Sequence, residues 1–285
     1  MKALVLGGGA ARGFAHIGII KKLEEQKAEF DIITGNSMGG LIGAFLAMGK
    51  KSKDLEKILR DISWVSMISK PGRGYLQSGE ALEKILEEHF GNKRIEQLKI
   101  PFACIACDID TGEEVVLGKG KIKDAVRATI SIPGVFKPHR LNDRFLVDGG
   151  IVNNLPILQA EKMGAKDILA INVRRPKNRK TEISEYLSST KGPWEKLISH
   201  FGPSLFYDAI EKSYDILSNT LDEKQMRVKK GTRLTVIQVN LGDTKYRDFL
   251  KWEQIVKMGE DADLSSYSSA TTEISTKAPF GNLAT

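Results

Sequence analysis

The chain has 285 residues, 43 basic and 36 acidic side chains, a net charge of +7 and two cysteines. That length supports a full hydrophobic core, while two cysteines exclude a disulfide scaffold. The basic residues are interspersed with acidic ones and no nucleic-acid motif accompanies them, so no nucleic-acid partner is expected. No apolar run approaches the roughly 20 residues of a spanning helix, and Met1-Lys2 leads into a short apolar run and then glycines rather than a signal core. A cytoplasmic protein is expected, with peripheral membrane contact left open.

Lys2 to Leu6 reads as a buried first strand. Gly7-Gly8-Gly9-Ala10-Ala11-Arg12-Gly13 follows and runs into a helical pattern from Phe14 to Leu23. A glycine loop between strand and helix raises phosphate binding, but the spacing is wrong. Counted from Gly7, the third glycine of a dinucleotide fingerprint falls on Arg12, and no Gly-Lys-Ser/Thr closes the loop. Exposed backbone N–H groups suit an oxyanion instead, with Arg12 fixing the loop or adding positive charge.

Asp31 to Thr34 reads as the next strand. It turns at Gly35-Asn36-Ser37-Met38-Gly39 into an apolar helical run from Leu41 to Met48. This is the pattern of a nucleophile elbow: Gly35 and Gly39 permit a tight strand-to-helix turn that lifts the Ser37 hydroxyl clear of the sheet. Ser37 then lies at a helix N-terminus, which favours developing negative charge.

Ser52 to Arg60 reads as a capped amphipathic helix. Trp64 to Ile68 is an apolar patch that suits a lid, a membrane-contacting loop or buried packing. Ser78 to Phe90 reads as a helix capped by Ser78 and stopped by Gly91. Ile100 to Ile109 is a core strand, with Glu113 to Leu117 as its hairpin partner across Thr111-Gly112. Cys104 and Cys107 lie within that strand on opposite faces, a placement that indicates core packing rather than a redox motif.

Ile122 to Ala128 is helical, and the apolar turn from Thr129 to Phe136 suits an acyl pocket. Arg144 to Asp148 is a short strand ending in aspartate before Gly149-Gly150. That placement suits either a base facing a cleft or an ordinary Asp-Gly turn. Leu155 to Met163 reads as a helix ended by Gly164, and Asp167 to Val173 as a strand. The basic cluster from Arg174 to Lys180 reads as a solvated loop. Trp194 to Lys229 looks helical, broken near Gly202-Pro203-Ser204, with Leu205, Ile210, Tyr214 and Leu217 covering the core. Arg233 to Val239 is a last strand and Tyr246 to Leu264 a last helix. One domain spans 1–264, followed by a loosely ordered Ser/Thr-rich tail over 265–285.

Taken in order, Gly7 to Gly13, Gly35 to Gly39, Ala128-Thr129-Ile130-Ser131-Ile132-Pro133 and Asp148-Gly149-Gly150 resemble the motifs of the bacterial patatin-like phospholipases, relatives of the neuropathy target esterase catalytic domain. The resemblance covers about the first 175 residues. It implies a three-layer α/β fold with a mainly parallel central sheet. It also implies a lipid acyl hydrolase acting through a Ser–Asp dyad, with Ser37 as nucleophile and Asp148 as base. Gly8, Gly9 and Ala10 would form the oxyanion hole, supported by Arg12, and Gly35, Gly39, Gly149 and Gly150 would support the turns. No cofactor or metal is expected, and the expected partner is a lipid or other ester. His139 reads as part of a Pro-His-Arg turn before Asp148, and none of His16, His89, His139 and His200 has a spacing that demands catalysis, so a dyad is preferred to a histidine triad. Two rivals remain: an acyltransferase on the same elbow, and a non-catalytic lipid- or nucleotide-binding regulator.

Overall fold

The computed structural model describes residues 1–62, 79–175, 210–217, 220–221 and 226–268. Eight strands form one sheet: β1 (Lys2–Leu6), β2 (Ile32–Asn36), β3 (Phe102–Asp108), β4 (Glu114–Leu117), β5 (His139–Leu141), β6 (Arg144–Asp148), β7 (Asp167–Asn172) and β8 (Arg233–Gln238). The order is β5-β6-β3-β2-β1-β7-β8, with β4 also paired to β3. From β8 through β3 all neighbours are parallel; β4, β5 and β6 join antiparallel. The parallel strands β1, β2, β3 and β7 are buried along nearly their whole length because helices cover both faces.

The helices are α1 (Ala15–Glu25), α2 (Ser37–Ala47), α3 (Ser52–Asp61), α4 (Glu80–Phe90), α5 (Ile122–Thr129), α6 (Ile157–Lys162), α7 (Trp252–Glu260) and α8 (Ser265–Ser268). Residues 210–217 are helical as well. Strand alternation divides the core into two layers. Leu4 and Leu6 of β1 join the large cluster with Ile17, Phe45, Leu86, Val126 and Val256. Ala3 and Val5 face the other way, into a smaller cluster with Leu155, Ile157 and Ala160 around α6. The result is the expected three-layer α/β architecture with a mainly parallel sheet.

Helices α1 and α7 approach backbone to backbone. A Cβ on Gly18 would stand 2.1 Å from the carbonyl oxygen of Val256, and one on Gly259 would stand 2.0 Å from that of Ala15. Only glycine permits this crossing, which clamps α7 over the glycine-loop helix.

Four local expectations change. The last helix begins at Trp252 rather than Tyr246, after a 3₁₀ turn at Phe249–Lys251. Tyr246 is committed elsewhere: its N–H donates to Glu211, its carbonyl accepts from Ala11, and its hydroxyl donates to Asp215. His139 lies on β5, paired with Leu146, and not in a turn. Ser52 does not cap its own helix, because its N–H and Oγ donate to Glu24 on α1; the first turn of α3 is closed by Asp54, which accepts from the Lys51 N–H. Ser265–Ser268 forms α8, whose Tyr267 ring stacks on Phe30 at 6.4 Å. The Trp64 to Ile68 patch, Ser78, the Gly202-Pro203-Ser204 break and residues 269–285 lie outside the described residues.

Candidate active site

Two strand ends meet to make the site. Ile105 of β3 pairs with Asn36 of β2 and with Val116 of β4; Ala106 pairs with Asp148 of β6 and with Val115 of β4. A strand residue has one neighbour on each side, so β2 and β6 lie end to end along the same side of β3. Asn36 and Asp148 therefore oppose consecutive residues, which sets Ser37 beside Asp148. Ser37 and Asp148 line the same cleft, with the serine near enough to favour the ionised carboxylate.

The elbow is tight at the serine itself. Ser37 has φ 52°, a left-handed conformation costly for a residue with a side chain. Gly35 and Gly39 are required for space: a Cβ on Gly35 would meet the Gly39 carbonyl oxygen at 2.6 Å, and one on Gly39 would meet that of Leu6 at 2.2 Å. The Ser37 N–H donates to Thr129 Oγ1 at 2.9 Å, which ties the elbow to the end of α5.

Asp148 is 2 % exposed. Its Oδ1 accepts from the Gly150 N–H at 2.8 Å and from Asn36 Nδ2 at 3.0 Å. Burial raises its pKa above the ordinary aspartate value; the nearby Ser37, the bonds from Gly150 and Asn36 and the charge of Arg174 oppose that rise without cancelling it. The outcome is a carboxylate that is held in place yet more basic than a solvated one. Gly149 packs where a Cβ would stand 2.7 Å from Asn36 Oδ1, so the Gly149-Gly150 pair brings backbone, not side chain, to the aspartate.

The glycine loop lies opposite. Gly8 donates its N–H to Asn154 Oδ1 at 3.1 Å, and Asn36 Nδ2 donates to the same oxygen at 3.1 Å. The N–H groups of Gly9 and Ala10 find no acceptor among the described residues. Ala10 has φ 47°, a second left-handed residue that is not glycine. Gly8, Gly9, Ala10, Ser37, Asp148 and Asn154 line a cleft with about 220 Å³ of space, open mouth included; Ile132, Arg174, Tyr214 and Tyr246 complete the lining. Of the apolar turn expected to line an acyl pocket, Ile132 reaches the cleft, while Ile130, Val135 and Phe136 join the core.

Arg12 is placed away from the reacting atoms. Its guanidinium is fully buried, pairs with Glu211 and with Asp215 at 3.1 Å, donates from Nε to the Thr244 carbonyl at 2.8 Å and lies 4.4 Å from the Tyr246 ring centre. Of the two roles open to it, the geometry supports fixing the loop; its charge is spent on two carboxylates. The solvated-loop reading also fails at the start of the basic cluster. Arg174 is 2 % exposed and lines the cleft, and Arg175 Nη2 donates to the Asp243 and Thr244 carbonyls.

Sequence reasoning passed over Asn154, which holds both Gly8 and Asn36, and gave Thr129, Asn36 and Tyr246 no role. Asn154 follows Asp148-Gly149-Gly150 closely, and a buried amide so near a motif aspartate is the signal that was available. His16 is buried with Nε2 2.7 Å from the Gly7 carbonyl, and burial lowers its pKa to about 4, so it is neutral. His89 packs edge-on against Phe45, and His139 faces Asp124 at 3.9 Å. Neither these nor His16 lines the cleft; His200 lies outside the described residues. Among the described residues no group of His, Cys, Asp or Glu could hold a metal ion, and no helix is long and apolar enough to cross a membrane.

Fold and site together define an α/β protein with a serine elbow and a buried aspartate at adjoining strand ends. Comparison with known proteins places it further. A family model described as patatin-like phospholipase matches residues 4–161, and the chain belongs to that family. An uncharacterized NTE family protein of Mycobacterium tuberculosis is 36% identical over 179 residues, covering 60% of this chain and 48% of that protein. Patatin-like phospholipase domain-containing protein 6 of Mus musculus is 29% identical over 271 residues, covering 90% of this chain and 20% of the mouse protein. The chain thus spans about half of the mycobacterial relative and a fifth of the mouse one. Among solved structures, VipD from Legionella pneumophila shares the fold with a TM-score of 0.55 at 14% identity, over 94% of this chain and 67% of that one.

Proposed function

We propose that this protein is a serine lipid acyl hydrolase that cleaves carboxylic esters of lipids through an acyl-enzyme. The observation that carries the reading is that Ser37, on its tight elbow, and a buried Asp148 whose basicity burial has raised line one cleft. Ser37 Oγ attacks the acyl carbonyl carbon while its proton passes to Asp148. The tetrahedral oxyanion is received by the N–H groups of Gly9 and Ala10, which have no acceptor to give up. Gly8 joins them only by releasing Asn154, so in this reading it serves first to hold the asparagine.

Collapse of the intermediate breaks the ester C–O bond, and the leaving alkoxide takes the proton from Asp148. Water then attacks the acyl-enzyme, gives its proton to Asp148, and the carboxylic acid leaves as that proton returns to Ser37. Asn36 and Gly150 hold the carboxylate throughout. The step needs no metal or cofactor, and family membership supports lipid esters as the substrate class.

The test is intact-mass analysis after exposure to a fluorophosphonate, with hydrolysis of a lipid ester followed in parallel. A single adduct that is lost in Ser37→Ala, together with ester turnover lost in the same variant, is expected. A folded wild type that neither labels nor turns over esters would exclude the reading and favour a binding role at the glycine loop.

A further inference from the structure

Arg174 lines the cleft, and the mechanism above leaves it without work. Its backbone is pinned: its N–H donates to Asn172 Oδ1 at 3.1 Å, and its carbonyl accepts from Gln238 Nε2 at 2.7 Å. These bonds follow directly from the end of β7, beside the glycine loop, where Val173 packs against Gly9. The residue is 2 % exposed, and its Nε and Nη1 have no hydrogen-bond partner among the described residues. Asp148 does not satisfy them, since its carboxylate accepts from Gly150 and Asn36.

A buried guanidinium with open donors is costly unless something regularly pairs with it. The neighbouring Tyr214 repeats the pattern. Tyr214 lines the same cleft, and its hydroxyl is shielded from water and lacks a partner among the described residues. Burial keeps the phenol protonated, far above its ordinary pKa, so it has a proton to donate. Side-chain donors without acceptors therefore converge next to the Ser37–Asp148 pair.

We propose that Arg174 and Tyr214 form an anion subsite that takes a phosphate group carried on the alcohol side of the ester substrate. A planar guanidinium matches the spaced oxygens of a phosphate, and the phenol adds a bond. Esters whose glycerol carries a phosphate are thereby preferred over neutral esters with the same acyl chain. The proposal rests on the hydrolase reading for its substrate, but its ligand chemistry can be read independently of turnover.

The experiment compares 1-palmitoylglycerol 3-phosphate with 1-palmitoylglycerol in the same mixed micelles, as a ratio of kcat/KM values. Wild type is expected to favour the phosphorylated ester. Arg174→Met, which keeps the stem and removes the fork, should shrink that ratio by about 10- to 100-fold, the range for a charged hydrogen-bonding group. Arg174→Lys should keep part of it, and Tyr214→Phe should shrink it by roughly 3- to 10-fold. An unchanged ratio in Arg174→Met, or equal losses on both esters, overturns the assignment.

Calorimetric titration with inorganic phosphate separates this from the hydrolase reading. Saturable phosphate binding that is lost in Arg174→Met upholds the subsite even if neither ester is cleaved, and that result would count against the hydrolase reading alone. Phosphate binding of that kind with no preference between the two esters assigns the site to a free anion and overturns the substrate proposal. A urea melt of Arg174→Met shows whether it is folded, and Tyr214→Phe gives the same readout from the other side of the subsite.

Discussion

Arg12 and Arg174 stand by the same glycine loop, and both are cut off from water, yet their surroundings are opposite. Arg12 is saturated: Glu211, Asp215, the Thr244 carbonyl and the Tyr246 ring take up its fork. Arg174 has its backbone tied down and its guanidinium open. A buried cation with every bond satisfied organises the chain around it. The same group with open donors beside a nucleophile is available to a ligand. The Arg12 cluster links the loop after β1 to the 210–217 helix and the segment before α7, and that helix in turn carries Tyr214 to the cleft.

The largest effect is expected at Asp148, which shares its cleft with Ser37 and Arg174 but not with Arg12. Asp148→Asn keeps the bonds from Gly150 and Asn36 but removes the proton acceptor. Turnover should fall by about 10³- to 10⁴-fold with folding intact, as measured by steady-state hydrolysis and by slowed fluorophosphonate labelling. A loss below tenfold would show that Asp148 is not the base.

Next in size is Arg12→Met. It strands Glu211 and Asp215 as buried carboxylates, so a loss of about 3–5 kcal/mol in urea unfolding is expected. Adding Glu211→Gln and Asp215→Asn should recover part of that loss. Arg174→Met, by contrast, is expected to leave the unfolding midpoint unchanged or raise it, because it removes a charge whose Nε and Nη1 have no partner among the described residues. Equal destabilisation by the two substitutions would erase the distinction drawn here.

Gly18→Ala tests the clamp behind the glycine loop. Its Cβ would collide with the Val256 backbone at 2.1 Å, and overpacking of this kind costs about 1–3 kcal/mol. The same substitution at Gly112, where a Cβ would meet nothing within 4 Å but φ is 72°, is strained only by its backbone. A comparison of the two melts isolates the packing part.

The smallest effect is a displacement on the pH axis. In the proposed mechanism Asp148 works ionised, and burial raises its pKa above the ordinary 3.8. The acid limb of kcat/KM should therefore fall as pH drops through a value above 3.8. Asn36→Leu removes a donor that favours the ionised form and should move the limb higher. The sign for folding is opposite. A carboxyl whose pKa rises on folding contributes most below its unfolded value, and that contribution is lost as pH rises through the folded one. A limb at or below 3.8 would mean that burial does not dominate at this group.

Much of the site was legible because its motifs are local. A tight turn needs glycine where another backbone passes, so Gly35 and Gly39 bracket Ser37 whatever the rest of the chain does. The strands β1, β3 and β7 were legible from their apolar runs, and Cys104 and Cys107 read as core from strand alternation alone. The extent of α7 was not, since helical periodicity begins at Tyr246, while that residue's polar groups are claimed by Ala11, Glu211 and Asp215 from distant parts of the chain. Asn154 was missed because an asparagine carries no pattern until its partners are known.

By itself, the sequence determined the element order, the elbow, the glycine loop and the aspartate at a strand end, since each is dictated by a few neighbouring residues. Tertiary structure decided what those pieces do together. The shared side of β3 brings Asp148 to Ser37. Burial decides the basicity of Asp148. Partners far along the chain satisfy Arg12 and leave Arg174 open, although both appear in the sequence simply as basic residues near a strand end. Charge and spacing are written in the chain, but desolvation and pairing exist only once distant segments close around a group.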